Sequence, residues 1–268
     1  MSLYNNTQQV LRHYLASSVG DLIYGQAGTT GATTQKIYAS FLWKPDDYYN
    51  EQFYEAYVYA GTNIGVTKRV TDWVLDTFLA TVHSAYAAAC DASSYVELHR
   101  IFFTDELNKA INLAIDSLAL DYLIEKTDVT ITLVADTYEY TLPADMYYVH
   151  RVITERTAAG GLFDEADVVD HRNWGLISPR KLKLDERYYS VSAGKDLRIE
   201  GQGRQALLAS DSAICYMPTD WIVQKAITRL PFEKIKTNDL DATYRQAVAF
   251  SETKPRLSPR LDARKVIE

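Results

Sequence analysis

The chain has 268 residues, 47% of them hydrophobic and 24% charged, which is globular composition long enough to bury a sizeable core without staples. Its 28 basic and 35 acidic side chains give a formal charge of -7, which excludes a protein that coats nucleic acid through a general basic surface. Two cysteines, Cys90 and Cys215, are too few for a disulfide framework or a cysteine zinc site, and 20 tyrosines against 8 phenylalanines are an unusual excess. The first residues lack a basic stretch followed by an apolar run, and no uncharged apolar run approaches about 18 residues. Neither a secretory signal nor a spanning helix is therefore expected, and no membrane partner.

The first element in the chain is an amphipathic helix over residues 3–16, with Leu3, Val10, Leu11, Tyr14 and Leu15 on one face. The run GQAGTTGATT (25–34) breaks it and reads as a flexible loop. From 35 to 100 the period is two. Alternation in 35–41 and 53–59, a turn at AGTNIG (60–65), a strand through 66–75 and a closing strand at 94–100 describe a β-domain of four or five strands. A long helix follows, with Thr104 as cap, Asp105 and Glu106 in its first turn, and apolar spacing from Leu107 to Leu123. Residues 129–217 read as a second β-region with hairpins around Ala135-Asp136-Thr137 and Ala193-Gly194-Lys195. Thr219 and Asp220 open a helix through Leu230, and Asn238 opens another to about Phe250.

The expected fold class is α+β. A helical core takes residues 1–19, 101–128 and 218–250. Two antiparallel β-modules are inserted into it, at 20–100 and 129–217, and residues 251–268 form an extended C-terminal tail. The tail carries Lys254, Arg256, Arg260, Arg264 and Lys265 against three acidic residues, while the remainder holds 23 basic and 32 acidic side chains. Taken alone, this basic, proline-containing end fits a disordered terminus or an arm that orders against an acidic partner equally well.

Catalytic motifs are weak. EGQGRQA (200–206) has the shape of a dinucleotide loop but precedes a strand-like segment, so it reads as a glycine turn. GQAGTTG lacks the Lys-Ser/Thr ending of a phosphate loop. His13, His83, His99, His150 and His171 are scattered; Glu97 and His99 read as an ordinary polar pair on one strand face. Asp164 and Glu165 are the acidic pair to consider for hydrolysis, but nothing supplies an apolar pocket to separate two pKa values. The aromatic run 43–59 suits sheet packing, a protein interface or a sugar platform. No cofactor and no metal is expected.

The segments LWKPDDYYNEQ (42–52), FTDELNKAIN (103–112) and DTYEYTLPADMYYVHRV (136–152), in this order, resemble the head-to-tail adaptor, or connector, proteins of tailed bacteriophages. The resemblance runs from the first helix onward, and its specificity lies in the order of the segments. It implies a non-enzymatic virion protein of the neck, assembled in the host cytoplasm: a homo-oligomeric ring, expected twelve-fold, docked under the portal protein and receiving a tail or nozzle protein. Genomic DNA passes through such a ring without specific binding. The resemblance also implies that the C-terminal arm reaches the portal, which assigns partner contact to Lys254, Arg256, Arg260, Arg264, Lys265, Val266 and Ile267. The alternatives are a virion-associated cell-wall hydrolase and a carbohydrate-binding tail module built on the tyrosine-rich β-domain.

Overall fold

The computed structural model describes residues 5–118, 121–257, 259 and 262–267. It is a mixed α+β protein with several antiparallel sheets. Its first stretch holds β1 (Asn6–Thr7), α1 (Gln8–Ser18), β2 (Ile23–Gln26), β3 (Gly28–Thr33), β4 (Lys36–Tyr38), α2 (Tyr48–Glu51), β5 (Glu55–Ala60), β6 (Thr67–Val74), β7 (Leu79–Val82), β8 (Tyr95–His99) and α3 (Thr104–Asp116). The middle stretch holds β9 (Ile124–Thr132), β10 (Glu139–Thr141), β11 (Met146–Thr154), β12 (Trp174–Ile177), β13 (Lys181–Leu184) and β14 (Asp196–Gly203). The last holds β15 (Ile214–Cys215), α4 (Thr219–Ile227), α5 (Phe232–Thr237), α6 (Asp241–Ser251) and β16 (Arg264–Lys265).

The chain divides into two compact units. A helix-bearing unit takes Tyr4–Ser117 and Leu207–Thr253, and an all-β unit takes Leu118–Ala206 and Lys254–Glu268 with the first three residues. The helices thus share a unit with the first β-domain, and the tail shares one with the second β-module. Charge divides with them: 12 basic against 18 acidic side chains in the helix-bearing unit, 16 against 17 in the all-β unit.

In the helix-bearing unit seven strands form a sheet in the order β2-β8-β5-β6-β7-β4-β3. The early part of β6 pairs with β5 and its later part with β7, while β2 and β3, separated only by buried Ala27, lie at opposite edges. The core between holds Leu42, Tyr49, Tyr54, Val70, Trp73 and Val82. Two expectations fail here. GQAGTTGATT is not a flexible loop but supplies β2 and β3, because its β-branched threonines suit a pleated backbone. The sheet has seven strands where four or five were expected, and β7 in particular was not legible in FLATV.

The helices α1, α3, α4 and α6 pack on one another in the same unit. Leu11 and Leu15 of α1, Leu107, Ile111 and Ile115 of α3, and Ile222 and Ala226 of α4 are fully buried, whereas Tyr14 is exposed. Thr7 caps α1 by accepting the Val10 N–H. The predicted cap of α3 is displaced by one residue: Phe103 occupies that position and the Glu106 carboxylate accepts its N–H at 2.9 Å. The helix ends at Asp116, and residues 124–128 are strand rather than helix. The expected C-terminal helix pair is three helices, since Pro231 starts α5 and Asn238 ends it instead of opening the next.

A buried charged network ties this unit together. Arg12 of α1 has a fully buried side chain whose Nε donates to Glu97 of β8. Its two Nη groups reach both oxygens of Asp211 at 2.6 and 2.9 Å, and the guanidinium lies 4.6 Å from the Tyr57 ring centre. Tyr57 Oη donates to Asp211 at 2.8 Å. His13 Nε2 lies against the other Glu97 oxygen, and His99 Nε2 stands 3.5 Å from Glu97 while its Nδ1 donates to the Asp21 carbonyl. Asp21 in turn accepts the N–H groups of Arg100, Ile101 and Phe102. Glu97 and His99 share a strand face as expected, but as fully buried members of a charged network and not as an ordinary polar pair. Burial works to raise the Glu97 pKa, but His13, His99 and Arg12 outweigh it and hold it at about 2. Burial works to lower that of His99, and its contacts with Glu97 outweigh it and raise it.

In the all-β unit the sheet order is β16-β11-β14-β9, beside a three-stranded sheet β10-β13-β12. Val149, Val152, Leu182, Leu184, Leu197 and Ile199 fill the core. Neither expected hairpin forms. Asp136, at φ 55°, turns the chain out of β9 toward β10, but β9 pairs with β14 and β10 with β13, so this corner moves the chain between sheets. Residues 185–193, just before Gly194, are not strand; the Gly194 N–H donates to the Leu133 carbonyl instead. The glycines of EGQGRQA are strand residues, not a turn. A Cβ on Gly201 or Gly203 would come within 2.0 or 1.9 Å of the carbonyl oxygens of Tyr148 or Asp145.

The two shifted groups predict a dome-shaped pH dependence of thermal stability. Glu97 contributes above its ordinary value of 4.5, and that contribution is lost as pH falls toward 2. His99 contributes below its ordinary value of 6.5, and that contribution is lost as pH rises through its higher folded value. Melting temperature is expected to peak between these values. Glu97→Gln is expected to cost about 3–5 kcal/mol at the peak by leaving Arg12 short of its charge partner, and to flatten the acid limb.

Candidate functional site

The C-terminal segment is the site that the sequence singles out. Lys254 precedes Pro255, which biases its backbone away from helix and carries the chain out of α6. Lys254 Nζ then meets Asp121 at 3.0 Å, and the Leu257 N–H donates to the Asp121 carbonyl at 3.1 Å. Arg256 is exposed, and Arg260 lies outside the described residues.

Further on, the segment becomes an edge strand. Arg264 and Lys265 pair with Val149 and Tyr148 of β11, and the Val266 N–H donates to the Tyr147 carbonyl at 2.8 Å. Val266 is buried in the core shared by both sheets. The Arg264 guanidinium lies 4.3 Å from the Trp174 ring centre and donates to the carbonyls of Trp174 and His171. Because Trp174 belongs to β12, this one side chain bridges the four-stranded and the three-stranded sheet. The Ile267 carbonyl accepts the Arg180 N–H at 2.8 Å, and Arg180 Nη2 donates to the carbonyls of Pro143 and Met146.

Of the seven residues, then, Arg264 and Val266 anchor the segment on its own unit. The side chains of Arg256, Lys265 and Ile267 face outward, and Lys254 keeps an exposed ion pair. Sequence reasoning missed the receiving residues Asp121, Tyr147, Trp174 and Arg180. Strand pairing uses backbone groups that every residue carries, and HRNWGL has no period that marks Trp174 as a stacking platform.

The other candidates are engaged elsewhere. Asp164 pairs with Arg156 at 3.0 Å and Glu165 with Arg151 at 2.8 Å, both at the surface. The five histidines form no ligand set; His13 and His99 meet only through Glu97. Among the described residues no group of three His, Cys, Asp or Glu is placed to hold a metal, and no helix is long and apolar enough to cross a membrane. Most of the tyrosine run is core rather than platform: Tyr49, Tyr54 and Tyr57 are buried, with Tyr49 edge-on to Trp73 at 5.3 Å. Trp43 and Phe53 are the exposed exceptions, each under a cation, Lys44 and Arg69.

Comparison with known proteins agrees with a structural role. The family model described as SU10 adaptor protein matches residues 65–233, which is more than half of the chain and reaches into both units. No curated protein matches the sequence.

Val266→Ala is expected to destabilise the all-β unit by about 2 kcal/mol, from lost apolar burial and the void left behind. Urea unfolding of the whole chain followed by fluorescence is the measurement, and an unchanged midpoint would mean that the segment does not close this core.

Proposed function

Because the chain belongs to the SU10 adaptor protein family, we propose that this phage structural protein is a head-to-tail adaptor that docks under the portal and links it to the tail. The family match carries the reading. The chain works as a ring, twelve-fold by resemblance, so each copy offers two different faces to its neighbours, one face to the portal and one to the tail protein. The net negative charge of the helix-bearing unit suits a wall past which DNA slides, since like charge keeps phosphates from adhering.

The C-terminal segment is the portal contact in this reading, through Lys254, Arg256, Arg260, Arg264, Lys265, Val266 and Ile267. Two modes of contact suit its geometry. The outward side chains of Arg256, Lys265 and Ile267 can bind in place, or the short strand β16, held by two residues of pairing, can be exchanged for a strand of the partner. The in-place mode costs less, because it leaves Val266 buried.

Mixing the purified chain with portal rings is expected to add the mass of several copies in analytical ultracentrifugation; no added mass would sink the adaptor reading. Arg256→Glu combined with Lys265→Glu is expected to weaken that binding at least about tenfold while leaving the circular dichroism unchanged. Undiminished binding would remove the segment from the portal contact.

A further inference from the structure

Six cations of the all-β unit are neutralised within it: Lys126 by Asp145, Arg151 by Glu165 and Glu200, Arg156 by Asp164 and Asp167, Lys181 by Glu139, Arg198 by Glu200 and Lys254 by Asp121. Three others have no such partner. Arg172, Lys183 and Arg187 are exposed, and among the described residues none has a carboxylate within ion-pair distance. All three line one open pocket of about 400 Å³, where they outnumber its two acids, Asp185 and Glu186. Asp185 is occupied in accepting the Arg187 backbone N–H at 2.9 Å. The guanidinium of Arg264 lies close to the pocket lining, since a Cβ on Gly175 would stand 3.9 Å from it.

The pocket is held by regular structure. Lys183 sits on β13, the middle strand of its sheet, and Arg172 on a short helical turn at His171–Asn173 whose cap is the Asp170 carboxylate. Tyr188, which follows Arg187, is 73% exposed. Arginine and tyrosine are the side chains that most often anchor protein contacts.

We propose that this cationic pocket is the electrostatic half of a contact between copies of the chain, and that its occupant is an acidic surface of the helix-bearing unit of a second copy. The inference rests on the adaptor reading above and deepens it by naming one face of the subunit contact. Charge complementarity selects the occupant. The helix-bearing unit has six more acids than bases, and its Asp105, Asp116, Asp220 and Asp241 are exposed and without an ion pair among the described residues. A nucleic acid is the less suitable occupant, because the strongly acidic unit carried on the same chain repels phosphates.

The test uses the full chain, free and mixed with portal rings, by sedimentation velocity. Arg172→Glu, Lys183→Glu and Arg187→Glu together are expected to weaken association between copies at least about tenfold, and the corresponding glutamine triple variant less so. Wild-type association is expected to fall as salt rises from 0.15 to 0.5 M, as the screening length shortens below about 8 Å. Circular dichroism on each variant separates misfolding from lost contact, and these three side chains are outside the core. Unchanged association of the reversed variant overturns the inference and leaves the adaptor reading intact. Wild type that never associates, even on portal rings, overturns both. A 20-base-pair duplex bound by wild type and released by the reversed variant, with association unchanged, would assign the pocket to nucleic acid and overturn the inference.

Discussion

One buried carboxylate organises the helix-bearing unit. Glu97 is fully buried, and a charge taken out of water persists only when its partners are fixed in place. Those partners are Arg12 and His13 from α1, with Arg12 85 residues away in the chain, and His99 from the same strand β8. Arg12 in turn needs a second anion, which Asp211 supplies from the stretch that follows the 118–206 segment in the chain. Apolar packing between the helices tolerates sliding, but a guanidinium held by two carboxylates does not. The network therefore fixes how α1, the seven-stranded sheet and the segment before β15 sit within their unit. Tyr57 shows that part of the tyrosine excess serves this purpose, with its ring under Arg12 and its hydroxyl on Asp211.

The all-β unit solves a different problem. Its two sheets share a core, and the joint between them is closed by residues distant in sequence, through a stacked arginine and one buried valine. For an adaptor this has a clear use. In the proposed contact, a segment anchored at Arg264 and Val266 and outward-facing at Arg256, Lys265 and Ile267 would enter already ordered, so less freedom would be lost on binding. The basic character of the tail has two parts, one spent on structure within the chain and one left exposed.

The α+β class, the helix starts near residues 104 and 219, and the β5–β6 hairpin were legible because period and turn chemistry act over a few residues; the first helix, expected from residue 3, starts at Gln8, behind the short strand β1. What was not legible depends on distance. The start of GQAGTTGATT looked like a loop because its strand character comes from pairing with β8, where Gln26 meets Tyr95, while its glycines masked the local pairing of β3 with β4. The Asp136 turn was correctly placed, but which strands its flanks join is decided by sheet partners elsewhere. Glu97 and His99 read as an ordinary polar pair on one strand face, and they do share that face, but alternation reveals a face and not what covers it. Of the candidate site, the charge and position of the tail were readable, and its receptor on β11 and Trp174 was not.

Among the described residues the chain crosses between the units three times, and this sets an order on their completion during synthesis. Residues 118–206 leave the ribosome before 207–253, so the all-β unit waits with β11 as an open edge and a gap at the Val266 site until the helices α4, α5 and α6 have been made. The helix-bearing unit waits likewise for Asp211, with Arg12 and Glu97 as an incomplete triad. Neither unit can mature alone as the chain emerges. A chain that stops near residue 250 has the helices but presents an unpaired strand edge, the feature by which β-proteins pair with the wrong neighbour. The late strand β16 thereby closes an edge that the earlier strands leave open.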